Sequence, residues 1–301
     1  MTRRMINCPP SVCLLTPSYR DDIERFALLR ESIKRFAPGF PHLAVVHTED
    51  YFAFRERFSA ESDLEIIRTA DVLPRSVERR RRKSGPRWLT RSWLSAPTIR
   101  GWHAQQLTKI FALAECEYEA AVFLDSDVLI CRALQPAFFY IDDRLKLFRR
   151  RAENAESLDF DISTHDIIGN TLHGIRELYD YIFHPACFRR STALCLIEEL
   201  VRRRRSEARW IRKFVAERRP SEYNLLGYAA TVLEEGAHYH LIECDPTELH
   251  HSIRFPEDRA RLPDEIQRML TQPKPFALIQ STLGIDAAQI ASAFRQRGAM
   301  T

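Results

Sequence analysis

Short apolar runs alternate with amphipathic stretches along the first 130 residues. Residues 12–15 are continuously apolar and stop at Thr16-Pro17-Ser18-Tyr19, which predicts a buried strand running into a turn. Asp21-Asp22 then opens a helix whose apolar positions are Ile23, Phe26, Leu29 and Ile33, and Pro38-Gly39 ends it. Further strands are predicted at 43–47 and 64–67. A helix follows from about Trp102 to Cys116 with the stripe Leu107, Ile110, Phe111 and Ala114. Residues 120–124 are the most strand-like run in the chain and carry Asp125 and Asp127 at their C-terminal end. Alternating strands and helices imply a mainly parallel sheet flanked by helices, and in open sheets of this kind ligands bind at that edge.

The second half is less regular. Strands are expected at 161–168, 181–188, 241–244 and 276–279, and helices at 193–205 and 221–234, the latter with Ser221 as N-cap. Residues 74–100 are rich in Pro, Ser and Arg, with Trp88 and Trp93 interleaved, and are expected to form a long loop. Neither repeats nor a linker composition appear. The expectation is one continuous domain over 1–301, with a nucleotide-facing half at 1–135 and an acceptor-facing half at 136–290.

Composition narrows the class. The chain is 45% hydrophobic and 29% charged, with a net charge of +4, as in soluble globular proteins. Seven scattered cysteines without a C-x-x-C pair argue against a zinc site or a disulfide framework. No stretch reaches the ~20 apolar residues of a membrane span. A cytoplasmic location follows as an expectation, with peripheral contact to anionic lipid at the inner face of the membrane through the basic segment 79–91, which includes Arg79 and Arg91. Nucleic acid is not expected as a partner.

Chance alone yields about one D-x-D among 17 aspartates, and the chain has two, at Asp125/Asp127 and Asp159/Asp161. Context separates them. The second follows a polar stretch, whereas the first lies within an apolar run, where two carboxylates are costly unless a cation or hydrogen bonds compensate them. A hard divalent ion such as Mn²⁺ or Mg²⁺ takes one or two carboxylates plus substrate phosphates.

The segment Val122-Phe123-Leu124-Asp125-Ser126-Asp127-Val128 resembles the strand-borne D-x-D of GT-A-fold nucleotide-sugar glycosyltransferases. Gly101-Trp102-His103-Ala104-Gln105-Gln106-Leu107-Thr108-Lys109 is similar to the helix that precedes it in bacterial polysaccharide-associated members. The resemblance implies an α/β, GT-A-like (Rossmann-like) fold. It also implies a metal-dependent, hexosyltransferase-like enzyme that moves sugar from a nucleotide-diphosphate donor, UDP-sugar by default, to a glycan or lipid-linked hydroxyl acceptor. Bacterial surface-polysaccharide or glycolipid synthesis is the implied setting.

Donor contacts are then expected from Thr16, Pro17, Tyr19, Gln105, Gln106, Lys109, Asp125 and Ser126. The metal would be held by Asp125 and Asp127, with one of His250 and His251 as a further ligand. The resemblance gives Glu222, at a helix start, the role of general base in an inverting reaction, with Asp127 also at the reacting centre. Asp166 and Asn170 are expected near the acceptor. A haloacid-dehalogenase-type phosphatase with Asp125 as nucleophile is an alternative, although its motif sits on the first strand of the domain. A non-catalytic glycan- or lipid-binding protein of the same fold is another. A P-loop kinase is excluded for lack of its glycine-rich signature.

Overall fold

The computed structural model describes residues 11–82, 99, 101–169 and 178–296. A single contiguous apolar core runs from Val12 to Phe294. Its centre is a five-stranded sheet. β1 (Val12–Ser18), β2 (His42–Val46), β3 (Leu64–Arg68) and β4 (Ala120–Phe123) are parallel and lie in the order β3-β2-β1-β4, and the strand Ala186–Arg189 closes the far edge antiparallel to β4. The fold is mixed α/β, with a mainly parallel sheet flanked by helices, as the strand–helix alternation implies.

Strand order reverses at β1, because the chain proceeds from β1 to β2 and β3 on one side and places β4 on the other. Loops leaving neighbouring strands at such a point diverge and open a crevice at the carboxyl edge. Tyr19 follows β1 and Asp125 follows β4, so both stand at that opening.

The helix Gly101–Glu115 packs against β1 and two second-half helices, Arg190–Arg204 and Glu222–Tyr228. β5 (Val128–Ile130) leaves the central sheet and joins a smaller one, antiparallel to Phe276–Ile279, which pairs in parallel with His250–Ile253. Asp125-Ser126-Asp127 is therefore the junction of two sheets.

Three expectations are corrected. Residues 161–168 belong to the helix Ala155–Ile168, not a strand; the side chain of Asn154 caps it on Ser157 and Gly169 ends it in the left-handed region. Its buried face includes Ser157, Asp161, Ser163, Thr164 and His165, so polar core positions hide the helical period. Residues 181–188 are not one strand; pairing is confined to Tyr179–Asp180 and Ala186–Arg189. The expected loop at 74–100 begins as the helix Arg75–Arg82; residues 83–98 and 100, with Trp88, Trp93 and most of the basic segment, lie outside the described residues. His250 and His251 open the strand His250–Ile253.

Among the described residues the six cysteines are unbridged, and no helix is long and apolar enough to cross a membrane.

Gly227 lets the helix Glu222–Tyr228 touch the segment at 181. A Cβ there would meet Tyr181 Cγ at 2.2 Å, while the Tyr181 backbone N–H donates to Asn224 Oδ1 at 3.0 Å. Gly227→Ala is expected to destabilise the protein by roughly 1–3 kcal/mol, the usual cost of overpacking. Urea unfolding measures this, and an unchanged midpoint would show that the two segments do not pack in this way.

Candidate active site around Asp125 and Asp127

Lys109, on the helix Gly101–Glu115, projects its ammonium into the core rather than into solvent. Nζ lies 2.7 Å from Asp125 Oδ1 and 2.8 Å from Glu222 Oε1, and donates to the Tyr223 hydroxyl at 3.0 Å. It also sits 4.6 Å from the Tyr223 ring centroid. Burial by itself disfavours the ammonium, but Asp125 and Glu222 outweigh it and hold the Lys109 pKa well above its ordinary value.

The carboxylates respond differently. Burial opposes ionisation of Asp125, yet Lys109 and the nearby His184 prevail and lower its pKa. Glu222 is raised, because burial exceeds the attraction of Lys109. Gln105 Nε2 donates to Asp125 Oδ1 at 3.2 Å, and the Glu222 backbone N–H donates to Gln106 Oε1 at 3.2 Å.

Asp127 has no comparable cation. Its Oδ2 accepts the Ser281 backbone N–H at 3.1 Å, and its backbone carbonyl accepts the N–H of Ile279 at 2.9 Å. Burial, then the like charges of Asp125 and Asp22, push its pKa up to about 7. One ammonium thus serves two carboxylates, Asp125 and Glu222, while at Asp127 the charge of Arg25 only partly offsets burial and the neighbouring like charges. Ser126 Oγ donates to Ser18 Oγ at 3.1 Å and ties this turn to the end of β1.

Beside the carboxylates opens a cleft of 310 Å³, lined by Pro17, Tyr19, His47, Thr69, Trp102 and Gln105 among others. The Tyr19 and His47 rings lie 5.5 Å apart and tilted by 30°, and Trp102 is 43% exposed. Burial and then Arg81 lower the His47 pKa, so this ring is neutral at pH 7.

The expected site residues separate into groups. Pro17, Tyr19 and Gln105 line the cleft, and Gln105 reaches Asp125, whereas Ser126 and Asp127 line a separate small hollow with Arg25 and Ile279. Thr16 does not reach the cleft; it is buried at 2.9 Å from His42 Nε2. Lys109, Gln106 and Glu222 come together in the core behind Asp125. Glu222, 2% exposed and locked to Lys109, lacks the opening to the cleft that a general base needs. Asp166 is on the helix Ala155–Ile168, where it pairs with Lys213 at 3.7 Å; Asn170 lies outside the described residues.

His250 and His251 point to opposite sides because strand side chains alternate. The buried His250 ring lies 5.8 Å from that of His184, whereas His251 faces Lys274, Arg268 and Arg132. Among the described residues no three His, Cys, Asp or Glu side chains assemble into a ready metal cage. Residues missed from sequence include His47 and Thr69, which are legible as termini of parallel strands, and His184, for which no sequence signal exists.

Lys109→Met would leave Asp125 and Glu222 buried without their cation, at an expected cost of roughly 3–5 kcal/mol at pH 7. Both carboxylates would then titrate above their unfolded values, so the native state would bind extra protons. The deficit should therefore shrink as pH falls toward 4. Denaturant unfolding at pH 7 and pH 5 checks this; a deficit below about 1 kcal/mol at neutral pH contradicts the buried ion pair.

Residues 11–297 match the model of a family described as "Family of unknown function (DUF6492)". No curated protein sequence matches the chain. Among solved structures the fold is similar to the galactosyltransferase LgtC in complex with donor and acceptor sugar analogs, at TM-score 0.41 and 10% identity over 96% of each chain. It is also similar to the bifunctional glycosyltransferase WbbM, at TM-score 0.41 and 11% identity over 90% of this chain and 46% of that one. A third is the glycosyltransferase GlyE of Streptococcus pneumoniae TIGR4, at TM-score 0.39 and 9% identity over 97% and 64%. Likeness this distant says nothing about individual residues.

Proposed function

The chain belongs to the DUF6492 family, and we propose that it is a glycosyltransferase that uses a divalent cation and a nucleotide-sugar donor. The observation that carries this is the crowding of two carboxyls, Asp125 and an Asp127 whose pKa is raised by burial and like charge, near an aromatic-lined cleft at the point where the sheet order reverses. A nucleoside diphosphate is itself anionic, so it would not settle beside two carboxylates without a cation between them.

The donor set fits a hard cation that also takes phosphate oxygens. Among the described residues the Asp127 carboxyl forms no direct ion pair, and Lys109 occupies only one oxygen of Asp125. Asp125 and Asp127 would hold Mn²⁺ or Mg²⁺, and the bound ion would neutralise charge on the departing diphosphate. Tyr19, His47 and Trp102 offer faces for a nucleobase, UDP being the default among common donors.

The remaining residues preorganise this arrangement. Lys109 and Gln105 fix the orientation of Asp125, the amides of Ile279 and Ser281 fix Asp127, and Ser126 holds the turn against β1. Glu222 acts through Lys109, as a positioning residue. The acceptor hydroxyl would approach from the second half, with a glycan or lipid-linked sugar as the expected class. A cytoplasmic setting in surface-polysaccharide or glycolipid synthesis belongs to the same proposal.

The test is donor turnover with a panel of nucleotide sugars and Mn²⁺, with and without sugar acceptors. Wild type is expected to release nucleoside diphosphate from one of them, and Asp127→Ala to lose at least about 100-fold, as loss of charge stabilisation at a reacting centre does. Failure of every nucleotide sugar to bind in Mn²⁺ would end the proposal. Aryl-phosphate turnover abolished by Asp125→Asn would identify a phosphatase instead.

A further inference from the structure

Residues at the carboxyl edge of the central sheet stand in the order of their strands. His47 follows β2, Tyr19 follows β1, and Asp125 lies two residues beyond β4. Adjacent strands are about 4.8 Å apart, so this row runs roughly 10 Å from the β2 end of the cleft to the carboxylate. The next strand outward is Ala186–Arg189, which is antiparallel to β4 and therefore begins at the same edge. Its register pairs Val122 with Cys187 and Phe123 with Ala186. Carried two residues past Phe123, that register sets His184 across from Asp125.

Side-chain contacts place the ring there independently. Lys109 Nζ, 2.7 Å from Asp125 Oδ1, donates to the Tyr223 hydroxyl, and the Tyr223 and His184 ring centroids are 5.8 Å apart with their planes at 78°. The His250 ring packs on His184 as well, at 5.8 Å and 82°. Two aromatic neighbours thus fix the plane of a ring that is only 7% exposed.

The polar atoms of this ring have no structural use. Lys109, Glu222 and Tyr223 satisfy one another without it. His184 Nδ1 is buried and, among the described residues, has no hydrogen-bond partner. Burial outweighs the pull of Asp125 and holds the imidazole neutral at pH 7, with its pKa at about 4, so it offers one donor and one acceptor nitrogen. Buried polar atoms are rarely left unpaired in folded proteins, and those that are mark places where a ligand or an ordered water completes the bond.

A nucleotide sugar is a linear molecule of base, ribose, two phosphates and sugar. With its base on Tyr19 and His47 and its diphosphate at Asp125, its sugar falls at the next strand outward. We propose that His184 hydrogen-bonds a hydroxyl of the transferred sugar and so helps to select the donor. This rests on the reading of the site as a sugar-transfer centre.

The test titrates UDP, GDP, UDP-glucose, UDP-galactose and GDP-mannose, each with Mn²⁺, into wild type and three variants, with circular dichroism as the folding check. His184→Phe keeps a ring against Tyr223 and His250 but removes both nitrogens. His184→Ala removes the ring altogether, and His184→Asn returns an amide near the position of Nδ1. Wild type is expected to bind one nucleotide sugar more tightly than its nucleoside diphosphate. His184→Phe and His184→Ala should weaken that nucleotide sugar by about 5-fold or more, the size of a lost hydrogen bond, and leave the nucleoside diphosphate within about 2-fold. His184→Asn should recover most of the loss. An unchanged preference for the nucleotide sugar in His184→Phe overturns the proposal, as does an equal loss of nucleoside diphosphate, which would mean that His184 acts only through Asp125. A wild type that binds the nucleoside diphosphate but gains nothing from any of the three sugars also overturns it, with the sugar-transfer reading left standing. A wild type that binds no nucleotide at all overturns both.

Discussion

A single buried ammonium organises the centre of this molecule. Lys109 reaches from the helix before β4 to Asp125 at the end of β4, and to Glu222 and Tyr223 at the start of a second-half helix. Three segments far apart in sequence converge on one charge that is 2% exposed. Removing any partner leaves an unpaired ion in a low-dielectric environment, which is why such a cluster fixes geometry even when its net contribution to stability is small. Asp125 is held ionised and aimed by this contact, while Asp127, two residues on, is left with one backbone donor and a raised pKa.

Topology then decides what the carboxylates face. Because β1 has β2 on one side and β4 on the other, the loops after β1 and β4 part at the carboxyl edge. The D-S-D turn also hands the chain from the central sheet to the small sheet of β5, Phe276–Ile279 and His250–Ile253. Asp125 therefore faces the cleft through Gln105. Asp127 is tied to the second half through Ile279 and Ser281.

The first half of the fold was legible because its strands are continuously apolar and its helices carry a clear stripe. β1, β2, β3, β4 and the helix Gly101–Glu115 all fall where periodicity puts them. The helix Ala155–Ile168 was not legible, since serine, threonine, aspartate and histidine fill its buried face and blur the period. Asn154 and Gly169 were signals at its ends that could have identified it. At the site, Asp125 and Asp127 were visible as acids inside an apolar run. Lys109 and Glu222 were visible individually, but their partnership depends on a contact 113 residues apart in sequence. His184 carries no local pattern, and its placement follows only from how the second half folds back.

On the proposed reading, Asp125 and the crowded Asp127 are a half-built cation site that a nucleoside diphosphate completes. Calorimetric titration of UDP or GDP into the purified protein, with Mn²⁺ and then with chelator, addresses it most directly. One nucleotide per chain should bind in Mn²⁺, with affinity lost by at least about 10-fold in chelator and in Asp127→Ala. Equal affinity with and without the metal, in wild type and Asp127→Ala alike, would contradict it.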